Sequence, residues 1–248
     1  MTGLVPSRVV LLTDRLVARD GLERVVAGAV VGGVRWVVLR EKDLPRAERV
    51  ALAVDLRAIL AAAGGTLIVA GPDPLGGDAV HLPAAGPYPP PPHQLVGRSC
   101  HSVAELNRLT TEHYATVSPV WPTKSKPGYG PPLHVEGLRA LVAASPVPVL
   151  ALGGVETPEQ VTACVEAGAS GVAVLGALMR AQDPIETAAK LGSAFQEAVT
   201  PKLLPAGTGA ARSPRRGLRP TVPTQGSSLT ARSGHGRPQP QTATKEAT

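Results

Sequence analysis

The apolar positions of this chain fall in short runs separated by polar or glycine-rich breaks. The runs are RVVLLT (8–13), VRWVVL (34–39), TLIVA (66–70), DAVHL (78–82), QLVG (94–97), YATVS (114–118), VPVLAL (147–152) and GVAVL (171–175). Most are continuously apolar rather than alternating, the pattern of strands covered on both faces. Helical spacing fills the gaps at 22–31, 44–63, 102–110, 133–143, 157–167 and 184–199. Thr157, Pro158 and Gln160 supply a cap, a proline at the first helical position and a glutamine three residues after the cap. Gly32, Gly64 and Gly168 stand where three of these helices should stop.

Strands alternating with helices over about 190 residues predict a (β/α)8 barrel, small for its class. Residues 71–77 are too few for a helix, so the third crossover should be shortened. Residues 83–92 hold six prolines and should form a stiff, extended loop. An open, doubly wound sheet is the competing architecture. It calls for a glycine-rich turn after the first strand, and LLTDRLVARDG has none.

Charge divides the chain in two. Residues 1–200 carry 17 Lys/Arg against 18 Asp/Glu, whereas residues 201–248 carry 8 basic groups and one acid. The predicted domains are therefore a barrel over 1–200 and a disordered, basic, Pro/Gly/Ser/Thr-rich tail over 201–248. The net positive charge belongs to the tail, so no specific nucleic-acid partner is expected for the folded part. No uncharged apolar run reaches 18 residues and the start has no signal-peptide pattern, so no membrane partner and a cytoplasmic location are expected. Cys100 and Cys164 form no spaced metal motif and should be buried thiols in a reducing compartment.

In a barrel the chemistry sits at the carboxyl ends of the strands. Those ends supply Asp14, Arg40, Lys42, His81, Ser99, His101, Ser118, Gly153, Gly154, Leu175 and Gly176. The long loop after the sixth strand adds Thr123, Ser125 and Lys126. Glycines past strands seven and eight, with a short helix beginning there, suit a phosphate. Lys126, with Lys124, and the hydroxyls of Thr123 and Ser125 suit a phosphate or carboxylate. Arg40 can grip an anion, with Glu41 as its ion-pair partner. His101 is the first acid/base candidate, because an imidazole titrates near neutrality, and His81 is the second. A histidine that only caps the next helix is the competing reading of His101. The ends of strands three and four, Ala70, Gly71 and LPAAG, offer no carboxylate for a magnesium-bound diphosphate. There is no metal-ligand motif.

LREKDL (39–44), DAVHL (78–82), VGRSCHS (96–102), SPVWPTKSKPGYG (118–130), PVLALGGV (148–155) and AGASGVAVLGALM (167–179) resemble the thiamine phosphate synthase family, which includes the TenI-type thiazole tautomerases. The resemblance implies a (β/α)8 barrel acting on a thiazole phosphate in thiamine biosynthesis. Synthases of the family join a pyrimidine pyrophosphate to that thiazole with Mg2+. The tautomerases isomerise its carboxylated precursor, with no cofactor expected. By resemblance, Thr123, Ser125 and Lys126 match the pyrophosphate or carboxylate loop. Gly154, Leu175 and Gly176 match the phosphate site, and Ser99 and Arg40 match polar pocket residues. Val38 stands where synthases usually have Gln, Ala70–Gly71 where they have Asn-Asp, and HLPAAG lacks their following Asp. GRSCHS looks more like the tautomerase branch, in which the histidine matching His101 moves the proton. Expected is thus a tautomerase acting on a small phosphate substrate. A synthase is the alternative, and a non-catalytic thiazole phosphate-binding protein or another phosphosugar enzyme stays open. Such barrels often self-associate, so a homo-oligomer is also open.

Overall fold

The computed structural model describes residues 5–123 and 130–200. Its strands are β1 (Arg8–Leu12), β2 (Trp36–Leu39), β3 (Thr66–Ala70), β4 (Ala79–Leu82), β5 (Leu95–Cys100), β6 (Tyr114–Val117), β7 (Val149–Leu152) and β8 (Gly171–Val174). All pair in parallel with their sequence neighbours, and β8 closes on β1 through Arg8–Gly171 to Leu11–Val174. The eight expected runs are the eight staves of a closed barrel, and the open-sheet alternative falls.

Alternation explains the continuous apolar runs. Val10, Leu12, Val38, Ile68, Leu150 and Ala173 point into the barrel, where they form one cluster. Their neighbours Leu11, Val37, Leu39, Val69, Ala151 and Val174 point outward into a second cluster beneath the helices. Both sets are removed from water, which is why these runs are apolar on both faces. Cys100 and Cys164 belong to the outer cluster, where burial pushes each thiol up to about 12.

The outer layer contains α1 (Leu22–Val31), α2 (Arg46–Ala61), α3 (Val103–Leu106), α4 (His134–Ala144), α5 (Pro158–Glu166), α6 (Gly176–Met179) and α7 (Pro184–Val199). The capping box at α5 forms as its residues demand: the Gln160 N–H donates to Thr157 Oγ1, and Gln160 Oε1 accepts from the Thr157 N–H. Two crossovers, β3 to β4 and β4 to β5, lack a helix, where the sequence pointed to one shortened connection. No helix among the described residues is long and apolar enough to cross a membrane.

Two boundaries move in a way that matters for the site. β5 runs on through Arg98 and Ser99 to Cys100 instead of ending at Gly97. A charged residue stays in the strand because its guanidinium is matched: Arg98 Nε donates to Glu112 Oε1 at 2.5 Å, and both side chains have no solvent exposure. The following helix is one turn long, not 102–110. Ser102 caps it by accepting from the Glu105 N–H. The Thr110 N–H is then drawn to Glu112 Oε2 at 2.8 Å instead of continuing a helical ladder. Residues 201–248, and with them the expected tail, lie outside the described residues.

Candidate active site

The strand alternation that fills the barrel also decides which side chains reach its mouth. Arg40 follows Val38 on the inward face, Asp14 follows Leu12, Ser99 and His101 follow Gly97, and Ser118 follows Thr116. These residues line one cavity of about 470 Å3 at the carboxyl ends of the strands, and Lys42, His81 and Thr123 line it with them. Gly153, Gly154, Leu175 and Gly176 line the same cavity. The described residues among those expected in the site therefore converge. Ser125 and Lys126 lie outside the described residues, as does Lys124.

The glycine side of the mouth is tightly built. Gly153 and Gly154 adopt positive φ of 95° and 71°. A Cβ at Gly154 would fall 2.6 Å from the Pro122 carbonyl oxygen and 2.7 Å from Trp121 Cβ, which no side chain tolerates. The loop after β6 lies there because the Val120 N–H donates to the Leu152 carbonyl and the Trp121 N–H to the Gly153 carbonyl, each at 3.0 Å. That stitching carries Thr123 to the cavity beside Gly154. Across it α6 begins at Gly176, and Arg180 at its end pairs with Glu156 at 3.3 Å. Both residues line the cavity, and sequence reasoning missed them. Their only signal was position, just past strands seven and eight.

On the opposite wall, His101 is half-buried. Its backbone N–H and its Nδ1 both meet Glu105 Oε2, the latter at 3.1 Å. This fixes the ring by a carboxylate four residues along, as a second group orients an acid/base histidine elsewhere. The N-cap of the following helix is Ser102, which accepts from the Glu105 N–H, and His101 precedes it. Arg40 is placed by its backbone, whose N–H donates to Thr13 Oγ1 at 2.9 Å. Glu41 does not pair with it. The Glu41 carboxylate turns to Arg15 instead, accepting from its backbone N–H at 3.2 Å and its guanidinium at 3.3 Å. The arginine twenty-six positions upstream was not visible as a partner in the sequence.

On the floor stands a polar group that the sequence showed only in part. His81 lies between Tyr114, whose hydroxyl is 3.1 Å from Nδ1, and Ser99, whose Oγ is 3.0 Å from Nε2, with Thr116 Oγ1 at 3.3 Å. Burial, then the charges of Lys42, Arg98 and Arg40, lower the imidazole to about 3. It is neutral at physiological pH and cannot serve there as an imidazolium acid. Burial raises the Tyr114 phenol, so it stays protonated.

Residues 9–178 match the family described as thiamine monophosphate synthase. This chain belongs to the thiamine monophosphate synthase family. A relative in Geobacter sulfurreducens is 36% identical over 195 residues, covering 73% of this chain and 91% of its own length. The thiamine-phosphate synthase of Moorella thermoacetica is 31% identical, over 73% of this chain and 92% of its own. Among solved structures, a thiamine phosphate pyrophosphorylase from Pyrococcus furiosus superposes with a TM-score of 0.66 at 22% identity, over 78% of this chain and 97% of that one, a likeness of fold.

By resemblance the synthases of the family use Mg2+; the ends of β3 and β4 bring no carboxylate into the cavity. Ala70 and Gly71 end β3, and Pro83, Ala84 and Ala85 follow β4. Asp73 is held by Arg46 at 2.7 Å. The acids lining the cavity are Asp14 and Glu156, and Glu156 is already paired. No cluster of three or more His, Cys, Asp or Glu suited to a metal occurs among the described residues.

Proposed function

We propose that this family member acts on a thiazole phosphate of thiamine biosynthesis, and that the reaction its pocket fits best is tautomerisation of a carboxythiazole phosphate. The observation that carries the reading is the shared cavity: an imidazole oriented by Glu105 on one wall, glycine-lined strand ends on the other, and Arg40 and Lys42 between them. The phosphate binds at Gly153, Gly154, Leu175 and Gly176, where main-chain N–H groups and the first turn of α6 favour an anion. Arg40, Lys42, Ser99 and the loop of Thr123, Ser125 and Lys126 hold the carboxylate. With Glu105 on Nδ1, Nε2 of His101 takes the proton from the ring carbon bearing the carboxylate and returns it to the exocyclic carbon. Composition is unchanged; one C–H bond breaks, another forms, and the double bonds shift. Cationic donors at the carboxylate stabilise the charge that develops.

A second reading is coupling of a pyrimidine pyrophosphate to the thiazole phosphate, with pyrophosphate released. The names of the relatives support it, and by likeness to known proteins it is the better supported of the two. The donor set at the ends of β3 and β4 supports the first. One preparation tests both. Carboxythiazole phosphate is followed by NMR in D2O, and thiamine phosphate formation is followed with the pyrimidine pyrophosphate, thiazole phosphate and Mg2+. Isomerisation lowered about 100-fold or more in His101→Asn is expected, with deuterium entering the exocyclic carbon to the extent that the proton held on His101 exchanges with solvent before its return. Coupling without isomerisation, or isomerisation untouched in His101→Asn, overturns the first reading.

A further inference from the structure

The group of His81, Tyr114, Ser99 and Thr116 is not used by the proton transfer, yet it forms the cavity floor. Its geometry follows from strand register. His81 on β4 stands beside Gly97 on β5, and Gly97 stands beside Tyr114 on β6. Glycine leaves room for the phenol: a Cβ at 97 would lie 2.0 Å from Tyr114 Cζ. The ring therefore leans across β5, and its hydroxyl reaches His81 Nδ1. Two residues further along both strands, Ser99 and Thr116 are also register partners, and their hydroxyls meet Nε2.

We propose that Tyr114 fixes the tautomer of His81, and that His81 in turn fixes Ser99 as a hydrogen-bond donor into the cavity. The proton bookkeeping allows one satisfactory arrangement. Tyr114 is 1% exposed, and its hydroxyl has the His81 ring as its hydrogen-bond partner among the described residues. If Nδ1 carried the proton, the phenol hydrogen would face the interior without an acceptor, the costly arrangement for a buried donor. With the phenol donating to Nδ1, Nε2 must carry the ring proton and donate to Ser99 Oγ, shared with Thr116. Ser99 Oγ then accepts from the protein, and its own hydrogen is turned to the cavity. The floor thus takes an acceptor atom of the ligand, such as a carboxylate or phosphate oxygen, and disfavours a donor. Tyr114 and His81 are positioning residues; Ser99 is the one that touches the ligand. The identity of that ligand as carboxythiazole phosphate rests on the proposed function; the tautomer does not.

Long-range 1H–15N correlation spectra of the 15N-histidine-labelled full chain test this, with His81→Gln assigning the ring. A neutral His81 protonated on Nε2 is expected, losing that single-tautomer signature in Tyr114→Phe, which removes one oxygen and keeps the ring. A proton on Nδ1, or an unchanged spectrum in Tyr114→Phe, overturns the proposal. In turnover of carboxythiazole phosphate, Tyr114→Phe should raise KM about five- to tenfold with a smaller effect on kcat, and should add nothing in a Ser99→Ala background. Independent, additive effects also overturn it. Absence of turnover in the unsubstituted chain, with the tautomer as stated, overturns the proposed function and leaves the positioning inference standing on the spectra.

Discussion

His81 ties the chemistry of the floor to the stability of the barrel, and the tie is measurable. The ring titrates at 6.5 when free and at about 3 in the folded chain, because burial and the charges of Lys42, Arg98 and Arg40 all oppose a second proton. Between those two values the unfolded chain binds a proton that the folded chain refuses. Stability is complete above pH 6.5 and is lost progressively as the pH falls toward about 3. At about 1.4 kcal/mol per pH unit, the loss reaches about 2–3 kcal/mol by pH 4.5. Other groups contribute to acid sensitivity as well, so the comparison must be with a chain that differs only here. His81→Gln retains a donor and an acceptor and has no titration. Urea unfolding at pH 7.5 and at pH 4.5 should find the variant less stable at the higher pH. At the lower pH the gap should shrink by about 2 kcal/mol. An equal gap at both pH values refutes the argument, as does an NMR titration of His81 with its midpoint near 6.

The buried pair of Arg98 and Glu112 gives a second prediction. Burial pushes the Glu112 carboxyl up, but the Thr110 N–H and the Arg98 guanidinium outweigh it and its net direction is down. Glu112→Gln leaves a buried guanidinium uncompensated and should cost about 3 kcal/mol, read as a lowered urea midpoint. A loss below about 1 kcal/mol would mean that the Pro83 and Pro87 carbonyls, which Arg98 also reaches, suffice to hold it. At the mouth, Gly154→Ala meets both a positive φ and the Pro122 carbonyl. Calorimetric titration with carboxythiazole phosphate should show affinity weakened about tenfold, with the circular dichroism of the barrel unchanged. Undiminished binding would take the phosphate away from these strand ends.

The architecture was legible because most of the strands are apolar on both faces, and eight such runs leave few alternatives. Most of the mouth was legible for a related reason: strand ends are marked by the first polar residue after each run. The misreadings at the mouth share one cause, a polar group matched by a partner far along the chain. Arg98 looked like the end of β5 because its partner Glu112 is fourteen residues away, beyond a turn whose shape that same carboxylate sets. Glu41 looked like the partner of Arg40 because the two are adjacent, but beyond the end of β2 its carboxylate turns to Arg15, twenty-six residues upstream. The floor was harder still. Alternation says that His81, Ser99, Tyr114 and Thr116 face inward, and this can be read from each run alone. Whether they meet depends on their height along the barrel, which is fixed by the stagger between strands. Gly97 is the one local sign of that stagger. A glycine inside an otherwise apolar strand marks a place where something large must cross, and here the crossing phenol is what brings a tyrosine, a histidine and a serine into one chain of donors.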